Sequence, residues 1–438
     1  MRKRTVALHN LGCKVNAYET ESMQEMLKQH GYEIVDFKEQ ADVYIINTCS
    51  VTNMADHKSR QMLHQAKKRN PKAVIVAAGC YVQTAGETVK EDLSIDILIG
   101  NNQKSSLPAL LDEYFGERIS NIIDINDGVQ PYEELGSVTP SEHTRAFLKV
   151  QDGCNQFCSY CIIPYARGRV RSRDPKKVYE EVCQLAKEGY GEIVLTGIHL
   201  SSYQAGEDFG LLELIQMLHE IDGIRRIRLG SLEPRIVTEA FAGALSEMPK
   251  ICPHFHLSLQ SGCDETLKRM NRKYDTAEYR EKCELLRKYF DHPAITTDVI
   301  VGFPGETDEE FARTEQFLRQ IEFYEMHVFP YSKRKGTKAA TMPDQIPEAK
   351  KKERSAVLLS LVKEQSKKFR DHYLNRTTEV LFEEPIEIGG RRYMTGFSKE
   401  YVRLALPLDH VSEEALSGKI YTCKVAEALN DEIYRVEF

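Results

Sequence analysis

KVQDGCNQFCSYCIIPYARGR, residues 149–169, places Cys154, Cys158 and Cys161 within eight residues, directly behind an apolar run at 146–150. Four readings compete for such a cluster: a structural zinc site, a disulfide fragment, an iron–sulfur cradle, or cysteines that pack a core. Asn155, Gln156 and Ser159 between the cysteines suit a loop, which weakens the packing reading. A tetrahedral zinc wants four ligands, usually paired, and no fourth Cys or His lies nearby in the sequence. A thioredoxin-like site would need only Cys158 and Cys161. Three thiolates fit a four-iron cluster that lacks one of its usual cysteines, leaving one iron open to a ligand.

The rest of the chain bears on that choice. Its 438 residues are too many for one core and imply roughly two to four domains. With 41% hydrophobic and 29% charged residues it reads as globular, neither disordered nor fibrous. No apolar run approaches the roughly 18 residues of a membrane span. The start, MRKRTVALHNLGC, has only 6–8 as an apolar run, far short of a signal-peptide core. These features predict a cytoplasmic protein. In a reducing compartment the eleven cysteines are better read as ligands or catalysts than as disulfides. A net charge of −7 argues against a polyanion binder held by bulk charge, but leaves room for local basic patches.

Residues 1–125 alternate apolar runs (6–8, 43–46, 74–78, 95–99) with amphipathic segments (20–30, 56–69), the pattern of an α/β domain with an open parallel sheet. A polar stretch, 126–139, with Gly128, Pro131 and Gly136 and with Pro140 just beyond it, reads as a linker. From 140 to 370 the alternation resumes, with candidate strands at 146–150, 192–196, 227–229, 256–259, 296–301 and 326–329. Six βα units predict a full or partial barrel. One helix is legible in detail: Asp174 caps it, Pro175 opens it, and Val178, Val182, Leu185 and Ala186 form its buried stripe. A charged helix over 348–374 leads to residues 371–438, whose short alternating strands predict a small β-barrel of the oligonucleotide-binding kind.

The first domain holds a second cysteine triplet. Cys13, Cys49 and Cys80 each follow an apolar run, in VALHNLGC, VYIINTC and VIVAAGC. All strand ends of a parallel sheet face one way, and ligands bind at that edge, so three such cysteines are expected to converge. A single one would be core filler; three of three favour a shared ligand. Cys183, Cys252, Cys263, Cys283 and Cys423 show no ligand spacing and read as structural.

CNQFCSYC after the first barrel strand resembles the radical S-adenosylmethionine enzymes. With the upstream triplet and the small terminal barrel, the whole chain resembles their methylthiotransferase branch. LGCKVNAYETESM, NTCSVTNMADHKSR and AAGCYVQ are most similar to the bacterial subgroup acting on threonylcarbamoyladenosine in tRNA. The isopentenyladenosine subgroup tends to carry Gln-Met where this chain has Lys14 and Val15, and the ribosomal-protein subgroup carries Pro-Lys-Asn.

The resemblance implies two [4Fe–4S] clusters and S-adenosyl-L-methionine as cofactors. Cys154, Cys158 and Cys161 would hold the radical-generating cluster, whose open iron binds the cofactor and delivers the electron that cleaves it. Cys13, Cys49 and Cys80 would hold a second cluster carrying sulfur or a methylthio group. The implied product is an adenine with –SCH₃ at C2, next to the anticodon of a tRNA. Gly302, Gly305 and Glu306 resemble the family's segment near the adenosyl moiety; Gly197, Gln260 and Ser261 are candidate cofactor contacts at strand carboxyl ends, with Gly197 reading equally as an ordinary turn glycine. An electron donor is a further implied partner, and no membrane is.

Basic residues supply the candidate RNA contacts: Arg167, Arg169, Arg171 and Arg173 after the cluster loop, and Lys333, Arg334 and Lys335 on a late barrel loop, with Lys338 beyond. Lys58, Arg60, Lys67, Lys68 and Arg69 follow Cys49. Such residues position RNA through phosphates; for any single run a solvated face is the commoner explanation, and their shared placement beside the expected active face favours RNA. Residues 371–438 contain eight Lys/Arg against thirteen Asp/Glu, so bulk charge does not mark this TRAM-like barrel as an RNA binder. Its candidates are Arg391, Arg392 and Arg403 with Phe397, Lys399 and Tyr401, the two rings reading equally as buried core. Three alternatives stay beside this reading. They are the same reaction on isopentenyladenosine or a ribosomal-protein aspartate, a non-catalytic RNA-binding protein stabilised by metal, and a redox sensor through Cys158 and Cys161.

Overall fold

A computed structural model describes residues 3–116, 130–136, 144–409 and 411–438. The first layer is a five-stranded parallel sheet of β1 (Thr5–Asn10), β2 (Glu33–Ile34), β3 (Val43–Thr48), β4 (Val74–Gly79) and β5 (Ile97–Ile99), in the order β2-β1-β3-β4-β5. β3 and β4 are buried along their whole length, as strands covered on both faces must be. The order reverses between β1 and β3, which opens a crevice at their carboxyl ends. Cys13 and Cys49 follow those two strands, and Cys80 follows β4.

Helix α1 spans Lys14–Gln29 and α2 spans Asn53–Arg69. The expected helix at 20–30 therefore begins a turn and a half earlier, immediately after Cys13. Periodicity missed that start because the buried residues there are polar: Asn16, Glu19, Thr20 and Ser22. Helix α2 is capped by the Thr52 side chain, which accepts from the Ala55 amide.

The central unit contains β6 (Ala146–Asp152), β7 (Arg171–Ser172), β8 (Glu192–Gly197), β9 (Arg226–Leu229), β10 (His254–His256), β11 (Ala294–Val301) and β12 (Glu325–Pro330). β7-β6-β8-β9 and β10-β11-β12 form two sheets, joined by parallel bridges Ile227–Ile251 and Leu232–Leu257. Six parallel strands thus form a partial barrel, open between β6 and β12. Their apolar faces, with Leu148, Val150, Ile193, Leu195, Ile227 and Leu229, pack outward on the surrounding helices. Among those helices is Pro175–Lys187, capped by Asp174 as its sequence requires. The strand expected at 256–259 pairs continuously only over His254–His256. Gln260 adopts φ +76°, and the Ser258 carbonyl is taken by Arg272 and Tyr274 side chains, so the ladder is interrupted there.

The helix Glu348–Asp371 runs along β12 and leads into β13 (Thr377–Ile388), β14 (Arg391–Phe397), β15 (Arg403–Pro407), β16 (Ile420–Ala428) and β17 (Tyr434–Glu437). These close into a barrel in the order β13-β14-β15-β17-β16. Of the polar stretch read as a linker, only 130–136 belongs to the described residues; Gly128 and Pro140 lie outside them. No helix among the described residues is long and apolar enough to cross a membrane.

Candidate functional site

The loop after β6 is held from both sides. Gly153, at φ +69°, passes so close to the Arg169 carbonyl that a Cβ would sit 1.9 Å from its oxygen, so only glycine fits. The Cys154 amide donates to the Gly168 carbonyl, and the Ser159 amide to the Met270 carbonyl. Asn271 donates through Nδ2 to the Phe157 carbonyl at 2.9 Å. Cys154, Cys158 and Cys161 feel one another's charge. Burial first, and Cys158 as a neighbour, push the Cys154 thiol up to about 11 and the Cys161 thiol up to about 12. As free thiols they would stay protonated near neutrality and make poor nucleophiles; metal coordination is what converts such groups to thiolates. Arg272 is already turned toward that charge, its NH1 standing 3.2 Å from Cys158 Sγ.

The first triplet also converges. Cys13 and Cys80 both act on Cys49 electrostatically, and a Cβ on Gly12 would lie 2.8 Å from Cys49 Sγ. Asn101 donates to Cys80 Sγ at 3.6 Å and to the Ala166 carbonyl at 2.7 Å, tying the triplet to the chain just past the second cysteine loop.

Behind this triplet lies a buried ion hub joining the two layers. Glu19 of α1 accepts from Lys104 at 2.6 Å, Lys149 at 2.7 Å and Arg167 at 2.8 Å. Asp152 pairs with Lys149, Arg167 and Arg171. Burial opposes the Glu19 charge, but Arg167, Lys104 and Lys149 hold its carboxyl well below the usual carboxylate range. Four cations thus face two carboxylates. The excess positive charge acts through Arg167 on Cys13 and Cys49, and it suits three thiolates bearing an anionic group.

Ligand spacing separates a single ion from something larger. Among the described residues, the three-residue groups whose ligand atoms all lie within 4.8 Å are His256–Asp298–His327 and Cys263–Glu265–Glu310. Neither cysteine triplet is that tight, whereas sulfurs around one tetrahedral zinc stand about 3.8 Å apart for a Zn–S bond of about 2.3 Å. All eleven cysteines are unpaired. The triplets therefore fit iron–sulfur clusters better than zinc or disulfides.

Between them opens a cavity of about 270 Å³. Val51 and Thr52 line it from the Cys49 loop, Tyr160–Ile163 from the Cys161 loop, and Gln260, Asp298, Ile300 and Phe329 from the barrel.

Two family models match the chain: Uncharacterized protein family UPF0004 over residues 5–100 and the Radical SAM superfamily over 148–318. The threonylcarbamoyladenosine tRNA methylthiotransferase MtaB of Bacillus subtilis is 42% identical over 434 residues, covering 97% of this chain and 94% of that protein. The chain belongs to the radical S-adenosylmethionine methylthiotransferases. A tRNA-2-methylthio-N(6)-dimethylallyladenosine synthase of Thermoanaerobacter sp. is 36% identical, covering 96% of this chain and 90% of its own length. In fold, the chain is similar to the radical S-adenosylmethionine methyltransferase TsrM from Kitasatospora setae, with a TM-score of 0.59, 16% identity and 77% of each chain covered.

Methylthiotransferases of this family use S-adenosylmethionine and [4Fe–4S] clusters. Bound together, these supply a reducing electron and radical carbon chemistry, while the protein binds, orients and shields.

Several expected contacts are placed elsewhere. Gln260 lines the cavity, and Gly197 ends β8 with Gln151 Oε1 2.9 Å from where its Cβ would be. Ser261 is fully buried and faces Thr314 at 3.2 Å. Glu306 accepts from the Gly302 amide and from Arg354, each at 2.6 Å, and so locks a turn. A Cβ on Gly302 would lie 2.4 Å from Lys351 Cγ, and Gly305 faces Arg269. These four serve packing against helices, because a βα turn must itself be held.

The arginine run after the cysteine loop is likewise mostly internal. Arg167 and Arg171 belong to the ion hub. Arg173 pairs with Glu134 at 3.0 Å and with Glu181. Arg334 is buried on Asp56, Asn53 and Ser50. Carboxylate neighbours, not phosphates, account for these four. Arg169, Lys333, Lys335 and Lys338 remain exposed, as do Lys58 and Arg60. In the terminal barrel, Arg391 and Arg392 are exposed but paired with Asp409 and Glu413, and Arg403 approaches Glu384 at 3.4 Å. Phe397 and Tyr401 stack at 4.5 Å, with Arg145 and Arg228 over the Tyr401 ring, so they seal the barrel floor instead of facing RNA.

Sequence reasoning missed Arg272, the Glu19 hub and the lumen groups His256, Asp298 and His327. The one available signal was the run of polar residues at buried helical positions of α1.

Proposed function

We propose that the protein methylthiolates C2 of N6-threonylcarbamoyladenosine beside the anticodon of tRNA, giving the 2-methylthio derivative. The observation that carries this reading is a cavity lined both by Val51 and Thr52, just after Cys49, and by the Cys161 loop. Cys154, Cys158 and Cys161 would hold the cluster that binds S-adenosylmethionine, and Cys13, Cys49 and Cys80 the cluster that supplies the methylthio group. A base placed between them meets radical and sulfur donor in one chamber, as proximity requires. The similarity to the Bacillus subtilis enzyme supports tRNA methylthiolation and favours the threonylcarbamoyl substrate.

The mouth supports an RNA substrate. Val51 and Phe329 line the cavity and expose large apolar surface, and Met54 and Tyr165, just after the same two cysteine-bearing loops, are also exposed; Phe157 carries Arg169 over its ring at 4.6 Å. Bases stack on such surfaces while Lys333, Lys335, Lys58 and Arg60 take phosphates. The terminal barrel would then act chiefly by closing the floor of the lumen, not by bulk attraction to RNA.

The test is iron and acid-labile sulfide per chain after anaerobic reconstitution, in wild type and in the Cys154/Cys158/Cys161→Ala triple variant. About eight irons falling to about four would match one four-iron cluster per triplet. Zinc without iron would refute the radical reading. Cys158→Ala should abolish modification of a threonylcarbamoyl-bearing anticodon stem-loop while leaving its binding nearly intact.

A further inference from the structure

The lumen of the partial barrel carries a set of donor atoms that neither cysteine triplet uses. On β10, β11 and β12 the side chains of Phe255, Val299 and Met326 pack outward into the core, so the alternate residues His256, Asp298 and His327 face inward. The registers of these parallel strands place Asp298 directly opposite His327, and His256 opposite Thr296, the inward neighbour of Asp298 on β11. The three side chains therefore stand in one layer of the lumen. Asp298 also lines the cavity of about 270 Å³ that the Cys161 loop lines from the other side.

One ligand atom from each of the three lies within 4.8 Å of the other two. His256 Nε2 stands 3.3 Å from Asp298 Oδ2, and the two imidazoles stack with centroids 5.9 Å apart. Donors bound about 2.1 Å from one ion stand roughly 3.0–3.4 Å apart, so the first pair already has the spacing of coordination. His327 is exposed on the edge strand, where a change of rotamer closes the remaining gap. The His256 ring is held from behind, with Nδ1 3.0 Å from Thr296 Oγ1. With the Nδ1 proton donated there, Nε2 presents its lone pair, the arrangement that orients a metal-bound histidine. Nε2 is buried and makes no hydrogen bond to any described residue, a deficit that a bound cation removes. The comparable group Cys263–Glu265–Glu310 lacks this freedom, because Arg269 and Thr266 donate to Glu310 and Cys263 donates to Glu265.

We propose that His256, Asp298 and His327 form a divalent transition-metal site in the barrel lumen, separate from both cysteine triplets. Two imidazoles and one carboxylate, with no thiolate, suit Mn²⁺, Fe²⁺ or Zn²⁺ and leave part of the coordination sphere open. The open positions face the cavity on the Asp298 side, and they take water or an oxygen of whatever occupies that chamber. The assignment rests on these three side chains alone and holds whichever base or protein the enzyme modifies.

Mn²⁺ is the probe, because it favours nitrogen and oxygen donors over thiolates and its sharp aqueous EPR signal disappears on binding. Anaerobically reconstituted holoenzyme, washed with EDTA to remove loosely held metal, would be titrated with Mn²⁺ alone. Wild type should bind one Mn²⁺ per chain, and pulsed EPR of the bound ion should show nitrogen coupling from imidazole. Asp298→Asn and His327→Ala should each weaken binding by at least about 10- to 100-fold, the loss that removing even an outer-sphere partner causes. Glu265→Gln, in the other group, should bind as wild type does. Iron and acid-labile sulfide per chain should stay level in all three variants, which reports that the fold and both triplets are intact.

Wild type that leaves the Mn²⁺ signal unchanged would overturn the assignment without reference to any variant. So would bound Mn²⁺ that lacks nitrogen coupling, or binding that survives both Asp298→Asn and His327→Ala, either of which would place the ion on surface carboxylates. Binding lost in Glu265→Gln would move the site to the Cys263 group and refute the lumen. Where a variant loses iron as well, the nitrogen coupling in wild type decides by itself.

Discussion

Glu19→Gln tests how the two cysteine-bearing layers are held in register. Glu19 is fully buried and accepts charged hydrogen bonds from Lys104, Lys149 and Arg167. The last two belong to the central barrel and its cysteine loop, whereas Glu19 sits on α1. Glutamine preserves the shape but leaves four buried cations against Asp152 alone. Breaking a buried ion cluster by removing one partner costs about 3–5 kcal/mol, which is a large part of a typical folding free energy. The pH dependence follows from the same contacts. The folded Glu19 carboxyl is held below its ordinary value of 4.5. Its stabilisation is therefore complete above the unfolded value and is lost as the pH falls from there toward the folded one. Asp152, also lowered, has the same sign. Urea unfolding at pH 7 and at about pH 4 would measure both effects. Far-UV circular dichroism is the suitable probe, since the chain has no tryptophan. Wild type should lose stability on acidification; the variant should start lower and lose less. Faster amide exchange in α1 and β6 should accompany the change. A variant within about 0.5 kcal/mol of wild type at pH 7, the usual surface range, would refute the reasoning.

Four further outcomes follow from particular contacts. Gly153→Ala drives a Cβ into the Arg169 carbonyl at a left-handed φ, so it should cost about 1–3 kcal/mol from the backbone alone and strip the Cys154/Cys158/Cys161 triplet of iron while sparing Cys13/Cys49/Cys80, read as iron per chain. Arg272→Met removes the donor to Cys158 Sγ and should weaken cluster retention about 10- to 100-fold, measured by chelator challenge. Tyr401→Ala removes the ring packed beneath Arg145 and Arg228 and should destabilise by about 2 kcal/mol, with early hydrogen exchange confined to residues 377–437. Lys333→Ala with Lys335→Ala should weaken RNA binding and reduce the slope of log affinity against log salt by about 2, while RNA-independent cofactor cleavage stays level.

The parallel strands were legible because each is an apolar run bounded by turn residues, and a buried strand tolerates little else. The helix at 175–187 could be read to its cap for the same reason. The arginines after the cysteine loop could not be assigned from their spacing. RGRVRSR reads as a phosphate-binding run, yet three of its four arginines face Glu19, Asp152, Glu134 and Glu181, which lie up to about 150 positions away along the chain. Local composition cannot show where a distant carboxylate will arrive. Phe397 and Tyr401 were ambiguous for the same reason: whether a ring stacks on RNA or seals an interface depends on what packs above it.

By itself, then, the sequence determined the α/β class, the partial barrel, the small terminal barrel and the six cysteines that follow strands, because these are encoded in runs and spacings a few residues long. The tertiary structure alone decided that the stretch after Cys49 and the Cys161 loop line one cavity, and that the intervening arginines neutralise buried carboxylates. Those facts depend on long-range packing, in which the partner of a charge is set by where two distant segments meet.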